Sequence, residues 1–292
     1  SGNEYNGIEL LRSQNNIISG NTVKNNWMKG IHLLWCFGGN IILGNTIFGN
    51  YWGIYLGMSP YYNNISGNDV SNNYYIGIYL EEGSSYNTIS NNIANNNNYF
   101  GQGSGIYLHT GCIGTNIFGN IANNNNYGIR LDLGSNDNTV LGNIANQNRV
   151  GIYLEETNNN IISENTANGN ECGILLIYSN DNIISGNNVN DNNTWGICLA
   201  ASHYNTVSGN NAVHTGCGVF LLISNSNIVS GNIVNRNFVG IYLWACTDNA
   251  IIDNHARWMG WGIFLWNCDG SNTISGNFIK GCYFEFITIC NP

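Results

Sequence analysis

The chain repeats one pattern of apolar and polar positions along almost its whole length. A glycine followed by Ile or Val recurs at intervals of 22 to 24 residues, with a single interval of 28. A fixed interval of this size is typical of repeat architectures, in which each repeat is one structural unit stacked on the next. The glycines of this register are Gly7, Gly30, Gly53, Gly77, Gly105, Gly128, Gly151, Gly173, Gly196, Gly218, Gly240 and Gly262.

A second register, usually Ile-Ser-Gly-Asn, lies between successive glycines. Its asparagine is present in all twelve repeats, and Ile or Val stands three residues before it each time. Five residues before it stands another Asn in eleven of the twelve repeats, with Thr115 as the exception. The asparagines of the second register are Asn21, Asn45, Asn68, Asn92, Asn120, Asn143, Asn165, Asn187, Asn210, Asn232, Asn254 and Asn277.

Each repeat resolves into short strands separated by turns. In one repeat, alternation with a period of two sends Ile152, Leu154 and Ile162 to one side and Tyr153 to the other. Gly and Asn at the junctions supply the left-handed backbone angles that tight corners need. No segment has a helical period, so the pattern predicts strands and turns throughout.

Stacked coils of this kind lie about 4.8 Å apart, so an Asn in one coil lies over an Asn in the next and their amides hydrogen-bond along the axis. The sequence therefore predicts an all-β parallel β-helix of about twelve coils of 22–24 residues with asparagine ladders. We expect one domain spanning residues 1–292. The chirality of parallel strand crossovers favours right-handed winding.

In its Gly-Ile and Ile-Ser-Gly-Asn registers the chain resembles the parallel β-helix repeat family. Members of that family include NosD-like periplasmic proteins, carbohydrate-active β-helix enzymes and many surface proteins of methanogenic archaea. The resemblance covers essentially the whole chain and also implies right-handed winding. It specifies the fold strongly and the function weakly, because one fold hosts many functions.

The composition excludes several classes of partner. Only 9% of residues are charged, and the net charge is −9 with eight Lys plus Arg. No basic stripe exists to neutralise phosphates, so we expect neither nucleic-acid binding nor attraction to anionic membranes. No run of about eighteen apolar residues predicts membrane insertion. These features favour an extracellular or cell-surface setting.

One face of the predicted solenoid gathers titratable groups. The second and fourth residues after each register glycine point outward, and four consecutive coils present Tyr79 with Glu81 and then three further pairs. Carboxylates, an imidazole, a guanidinium and phenols are groups that acid–base attack on a sugar needs. The alternative is an ordinary solvated face with a tyrosine ladder. The candidate catalytic residues are Tyr107, His109, Arg130, Asp132, Tyr153 and Glu155.

Two observations weigh against catalysis on this face. The chain lacks the Asp-Pro-His signature of mannuronan epimerases, so family catalytic residues cannot be carried over. Acidic polysaccharides also call for several basic contacts, and Arg130 is the one that this face offers. Ca²⁺ held by the carboxylates is expected only under the alternative in which this face acts on a polyuronate. Otherwise we expect no cofactor.

Cysteine spacing suggests covalent links. Cys246 and Cys268 both stand six residues after a register glycine, in adjacent coils, and Cys290 continues their column, so these three are disulfide candidates. Other cysteines are expected on the exterior without an internal mate. They are either free buried thiols or links between molecules, and the candidates for intermolecular links are Cys36, Cys112, Cys172 and Cys217.

Metal binding is not predicted. No Cys/His group has zinc spacing, and the chain contains only three Met. The histidines fall in different repeats and different columns, at His32, His109, His203, His214 and His255.

We therefore favour a structural protein of the cell surface, a subunit of a surface layer, sheath or fibre. It would self-assemble through coil ends, sheet edges and cysteines, because open edges are templates for strand addition. The alternative is a secreted protein that binds or modifies a polysaccharide, of the uronate lyase or epimerase type. The expected partners are other copies of the chain and cell-surface polysaccharide, and an enzyme is less favoured than a non-enzyme.

Overall fold

The computed structural model describes residues 1–99 and 101–289, and in these residues all regular structure is β-strand. No helix in the described ranges is long and apolar enough to cross a membrane. The chain divides into two compact units, Ser1–Asn148 (the first unit) and Arg149–Pro292 (the second unit). The expectation of a single domain stays a prediction.

In the first unit each coil contributes a strand to a first sheet and a strand to a second sheet, and neighbours in each sheet are parallel. The first-sheet strands are β1 (Ile8–Leu11), β4 (Lys29–Leu34), β7 (Trp52–Gly57), β9 (Ile76–Leu80), β11 (Ser104–Leu108) and β13 (Tyr127–Asp132). The second-sheet strands are β2 (Ile17–Ser19), β5 (Ile41–Leu43), β8 (Asn64–Ser66), β10 (Thr88–Ser90), β12 (Asn116–Phe118) and β14 (Thr139–Leu141). The short strands β3 (Thr22–Lys24) and β6 (Thr46–Phe48) pair on a third side.

The second unit has the same organisation. Its first-sheet strands are β15 (Val150–Glu155), β17 (Cys172–Ile177), β19 (Trp195–Ala200), β21 (Cys217–Leu222), β23 (Val239–Trp244), β26 (Trp261–Trp266) and β29 (Phe284–Ile289). Its second-sheet strands are β16 (Ile161–Ser163), β18 (Ile183–Ser185), β20 (Thr206–Ser208), β22 (Ile228–Ser230), β24 (Ala250–Ile252) and β27 (Thr273–Ser275). On the third side, β25 (His255–Arg257) pairs with β28 (Phe278–Lys280).

Six first-sheet strands in the first unit and seven in the second confirm the predicted parallel β-helix of about twelve coils. The alternation of side chains is also as predicted. Ile152, Leu154 and Ile162 are fully buried in the core. Removal of this repeated Ile and Leu surface from water is the main force that holds each coil to the next.

Asparagine ladders run along both units. In the second unit, Asn187 Nδ2 donates to Asn210 Oδ1 at 2.9 Å, and Asn210 Nδ2 donates to Asn232 Oδ1 at 3.0 Å. In the first unit, Asn45 Nδ2 donates to Asn68 Oδ1 at 2.9 Å. Each oxygen also accepts the backbone N–H of the preceding ladder residue. The ladders therefore satisfy polar groups at a corner that is closed to water.

The two glycine columns have different physical causes. Corner glycines such as Gly209 have φ of 62°, the left-handed conformation that the sequence predicted. Register glycines such as Gly173 are needed because of close approach. A Cβ at Gly173 would lie 2.5 Å from the carbonyl oxygen of Gly196 and 2.7 Å from Nδ2 of Asn192. No side chain larger than hydrogen fits there without a shift of the backbone.

Candidate functional site

Four of the six candidate catalytic residues come together on the outer face of the first sheet in the first unit. Tyr107 lies opposite Arg130 in the register of β11 and β13. His109 follows the end of β11, and Asp132 ends β13. Together with two neighbours from the preceding coil they form a group that we call the Asp132 cluster: Tyr79, Glu81, Tyr107, His109, Arg130 and Asp132.

Asp132 is the most buried acid of the cluster, with 2% of its surface exposed. Its Oδ2 accepts a hydrogen bond from the hydroxyl of Tyr107 at 2.6 Å and lies 2.7 Å from Nη2 of Arg130. Burial raises the pKa of Asp132, although the hydrogen bond from Tyr107 and the charge of Arg130 act in the opposite direction. Oδ2 of Asp132 thus has two partners inside the protein.

The second oxygen of Asp132 has no such partner. Oδ1 is buried and accepts no hydrogen bond from the described residues. The nearest charged-group contact is Nε2 of His109 at 3.9 Å, which is too long for a direct hydrogen bond. A buried acceptor without a donor costs about 1–3 kcal/mol, so a hydroxyl or amine that reached this oxygen by displacing the partly exposed His109 ring would bind with gain.

His109 lies between two carboxylates and is partly open to solvent, with 26% of its side chain exposed. Its Nδ1 is 3.2 Å from the hydroxyl of Tyr79 and 3.9 Å from Oε1 of Glu81. The ring therefore faces Glu81 on one side and Asp132 on the other. An imidazole in this position is able to donate to or accept from a ligand that enters between them.

The tyrosines of the cluster act as hydrogen-bond donors. Burial, reinforced by the nearby carboxylates, raises the pKa of both Tyr79 and Tyr107 well above the ordinary value. Their hydroxyls are therefore protonated at neutral pH and cannot serve as general bases there. The Arg130 guanidinium lies over the Tyr107 ring at 4.6 Å, which holds the ring in place.

The structure adds residues that the sequence reasoning missed. Residues directly before two register glycines also contribute to the outer face: Lys29 Nζ lies 4.3 Å above the Tyr55 ring, and Trp52 stacks with Tyr79 at 6.4 Å. Tyr55 in turn donates a hydrogen bond to Glu81. The signal for these residues was present, because aromatic and basic side chains stand directly before Gly30 and Gly53.

Tyr153 and Glu155 belong to the other unit. Both lie in β15 of the second unit, where Tyr153 is buried and Glu155 is half-buried. That all six candidate residues act as one group stays a prediction.

The four proposed intermolecular cysteines are not on the exterior, and that expectation is wrong. Cys36, Cys112, Cys172 and Cys217 are buried, and each has 6% or less of its surface exposed. Burial raises the pKa of Cys112 to about 12, so its thiol is protonated as well as hidden. A link between molecules through these thiols would require a coil to open.

The disulfide candidates lie in a ladder of small hydroxyl and thiol side chains. Ser202 N–H donates to Ser224 Oγ, Ser224 N–H to Cys246 Sγ at 3.4 Å, and Cys246 N–H to Cys268 Sγ at 3.4 Å. Cys246 and Cys268 are thus neighbours in adjacent coils, as predicted. A hydrogen bond from the Cys246 thiol lowers the pKa of Cys268 to about 7. Cys290 lies outside the described residues, and a disulfide in this column stays a prediction.

Among the described residues, no group of three or more His, Cys, Asp or Glu is placed to hold a metal ion. The five histidines remain in separate columns. Buried thiols such as Cys198, whose pKa burial raises to about 12, are poor sources of thiolate. The donor set in this part of the chain therefore does not fit copper or zinc.

This architecture defines a parallel β-helix repeat protein, and comparison with known families agrees. The family model described as "Periplasmic copper-binding protein (NosD)" matches residues 101–228 and 193–290, and "Right handed beta helix region" matches residues 1–145. The NosD matches cover more than half of the chain, so the chain belongs to the NosD family of parallel β-helix repeat proteins. The expected right-handed winding is confirmed. The copper named in the family description does not find a fitting ligand set in the described residues.

Solved structures with the same fold are distant in sequence. The Azotobacter vinelandii mannuronan C-5 epimerase AlgE6 A-module is 16% identical with a TM-score of 0.61, covering 94% of this chain and 77% of that one. The periplasmic alginate epimerase AlgG is 16% identical with a TM-score of 0.65, covering 89% and 77%.

The pre-mature bacteriophage phi29 gene product 12 is 11% identical with a TM-score of 0.74, covering 94% of this chain and 46% of that one. Likeness at these identities shows the fold alone. No curated protein sequence matches the chain.

Proposed function

We propose that this protein works outside the cytoplasm as a polysaccharide-binding β-helix and that the Asp132 cluster is its main polar contact. The observation that carries the proposal is the buried Oδ1 of Asp132, which accepts no hydrogen bond from the described residues and lies beside the half-open ring of His109. Sugar hydroxyls and amines are donors of the size and polarity that this acceptor would bind once the His109 ring turns aside.

The repeat supports a polymeric ligand. Outward phenol, carboxylate and imidazole groups recur from β7 through β13, one coil rise of about 4.8 Å apart. A chain lying along the coil axis meets similar groups at regular intervals. Among the solved structures of this fold are proteins named as alginate and mannuronan epimerases and a tailspike protein, which is consistent with a polysaccharide ligand.

Charge favours a neutral or amino sugar over a uronate. Arg130 lies 2.7 Å from Asp132, so its charge is already compensated inside the cluster. Glu81 then leaves an excess of negative charge near His109. A polyuronate would meet repulsion here, whereas an amine on the sugar would be attracted. Binding is favoured over turnover, because the raised pKa of Tyr79 and Tyr107 keeps these tyrosines from acting as bases and the carboxylate of Asp132 is held by Arg130.

A structural role at the cell surface, as a subunit of a layer, sheath or fibre, remains a proposal beside this one. It is supported by the outer side of the first sheet in the second unit, where the outward residues of β21, β23 and β26 are all apolar. Polysaccharide binding and a structural role are compatible, since a wall or sheath component has to hold the polymer around it.

The test is retention on a panel of insoluble or immobilised neutral, amino and acidic polysaccharides. Two variants probe the cluster, His109→Ala and Glu81→Gln, and both positions are partly exposed. The matched control is His214→Ala, because His214 also lies near a carboxylate, 3.5 Å from Asp191, but in the second unit.

We expect retention by a neutral or amino polysaccharide and at least about a tenfold weaker affinity for His109→Ala, since hydrogen bonds to charged groups contribute about 1.5–3 kcal/mol. His214→Ala should bind like the wild type. Retention of no polysaccharide, or an equal loss in the control, would rule out the Asp132 cluster as the binding site.

A further inference from the structure

The outer face of the first sheet in the second unit carries no charged side chain from β17 to β26. The outward positions of the three later strands are Phe220, Leu222, Tyr242, Trp244, Phe264 and Trp266, and β17 and β19 supply only Leu, Ile, Cys and Ala at the same positions. The outer side of a solenoid ordinarily faces water and is polar. An apolar outer face over five coils therefore needs an explanation.

Part of this apolar face is open to solvent. Trp244 is 44% exposed and Trp266 is 40% exposed, and they stand opposite each other in the register of β23 and β26. Tyr178 and Ile223 continue the apolar surface at one edge, at 61% and 55% exposure. Large exposed apolar side chains in adjacent coils form a contiguous patch, and patches of this kind mark interaction sites on soluble proteins.

The ring geometry argues against a sugar as the occupant. Phe220 and Tyr242 have ring centroids 4.9 Å apart, and Tyr242 and Phe264 are stacked at 4.9 Å with an interplanar angle of 22°. Each ring is therefore covered on its face by the ring of the next coil and presents its edge outward. Stacking of a pyranose on an aromatic side chain needs an open ring face.

Charge points to a second copy of the chain. The protein carries a net charge of −9, so most of its surface repels another copy. The face from β17 to β26 has no carboxylate, and two copies can meet there without like-charge repulsion. Two flat sheets pack face to face about 10 Å apart. In a dimer with a two-fold axis, this patch on one molecule would pack against the same patch on the other.

The size of the face sets the expected strength. The four spacings of about 4.8 Å between five strands and five residue steps of about 3.3 Å give a flat footprint of roughly 300 Å². A standard stable interface buries about 800 Å² per partner, so this patch fits the apolar centre of a modest interface with a polar rim. We expect association in the micromolar range rather than a permanent dimer.

We propose that the outer face of the first-sheet strands from β17 to β26 is the self-association surface of this protein, with Trp244 and Trp266 as its most exposed outward side chains. The proposal does not depend on polysaccharide binding, because the Asp132 cluster lies in the first unit. It also differs from assembly through cysteines or sheet edges, because it uses side chains on the open side of the first sheet.

The experiment is sedimentation velocity of the whole chain over about 1 to 100 µM, with reductant present to exclude disulfides. Trp244→Glu and Trp266→Glu place a charge on the face. Trp258→Glu is the matched control, because Trp258 is also in the second unit and is 59% exposed. Far-UV circular dichroism checks that each variant retains its β-structure.

We expect the wild type and Trp258→Glu to dimerise with similar affinity. Trp244→Glu and Trp266→Glu should each weaken dimerisation at least about 30-fold, as expected for loss of an aromatic hot-spot contact. A wild type that stays monomeric over the whole range would overturn the proposal, and so would an equal loss in the control. Flotation of a monomeric wild type with phosphatidylcholine vesicles would assign the face to lipid instead. The behaviour of the wild type decides the matter even if a variant fails to fold.

Discussion

Removal of one ladder asparagine should destabilise the protein far more than removal of an exposed asparagine. Asn210 is 1% exposed. Its Oδ1 accepts hydrogen bonds from the N–H and the Nδ2 of Asn187, both at 2.9 Å. Its Nδ2 donates to the carbonyl of Ile184 at 2.9 Å and to Oδ1 of Asn232 at 3.0 Å. The change Asn210→Ala removes all four bonds at once.

The cost follows from what remains behind. A buried N–H left without an acceptor costs about 1–3 kcal/mol, and each further lost bond adds up to about 1 kcal/mol. Allowing for relaxation and water entry, we expect a loss of about 3–5 kcal/mol, a large part of the 5–15 kcal/mol that typically holds a domain folded. Asn193→Ala, at an exposed position, should change the free energy of unfolding by less than about 0.5 kcal/mol.

The assay is denaturant unfolding followed by far-UV circular dichroism, together with hydrogen exchange of the Asn187 amide. Asn210→Ala should lower the midpoint strongly and speed exchange at Asn187. A loss below about 1 kcal/mol, or one equal to that of Asn193→Ala, would show that the ladders are not a main source of stability.

Mild acid should weaken the first unit through His32, since burial and the charge of Lys29 lower its pKa from 6.5 to about 4. The free energy of unfolding should fall by about 3 kcal/mol as the pH drops from 6.5 towards 4, because the unfolded chain protonates His32 first. Denaturant unfolding over this pH range tests it. The same pH dependence in His32→Asn as in the wild type would contradict it. Cys246→Ser should leave the free energy of unfolding nearly unchanged, because a hydroxyl still accepts the N–H of Ser224. Cys246→Val should lower it by about 1–3 kcal/mol in the same assay, because that N–H loses its acceptor. Equal effects of the two changes would refute this role of Cys246. Peptide mapping without reductant tests whether Cys246 pairs with Cys268, and a mixed or absent linkage would remove that prediction. Gly173→Ala should cost about 1–3 kcal/mol by overpacking, and an unchanged melting temperature would show that the coils can spread.

The fold was predictable because each of its requirements repeats. A single coil shows only alternating Ile and Leu, but twelve coils in register show the same glycine, the same asparagine and the same core position. The sequence reasoning predicted left-handed corner glycines such as Gly209, and these are present. It did not foresee why register glycines such as Gly173 are required, since close approach between backbones appears only once the coils are stacked.

The cysteines were misplaced for a related reason. In sequence, Cys36 and Cys112 stand alone, and a lone cysteine suggested an exterior thiol. In the structure they are buried, and Cys246 shows what such a position requires, because its sulfur accepts the same kind of hydrogen bond as the Ser224 hydroxyl one coil before it. Serine and cysteine at matching positions were the available signal. Small size and the ability to accept an N–H are enough to account for serine and cysteine at these positions.

The candidate site was predicted in part. Alternation placed Tyr107, His109, Arg130 and Asp132 on one face, and the structure brings them together. Which oxygen of Asp132 would be satisfied depends on side-chain conformations and burial, which a repeat pattern does not specify. The contributions of Lys29 and of other residues just before a register glycine were missed because only the positions after the glycine were read as outward.

If the proposed function is right, a polysaccharide binds along the first-unit face with a donor group at Asp132. The most direct test is a crystal structure of the protein soaked with short oligomers of whichever polysaccharide it retains. We expect a sugar lying over β7 to β13, with a hydroxyl or amine within hydrogen-bond distance of Asp132 Oδ1 and in contact with a displaced His109 ring. A sugar bound elsewhere, with Asp132 Oδ1 still lacking a donor, would contradict it.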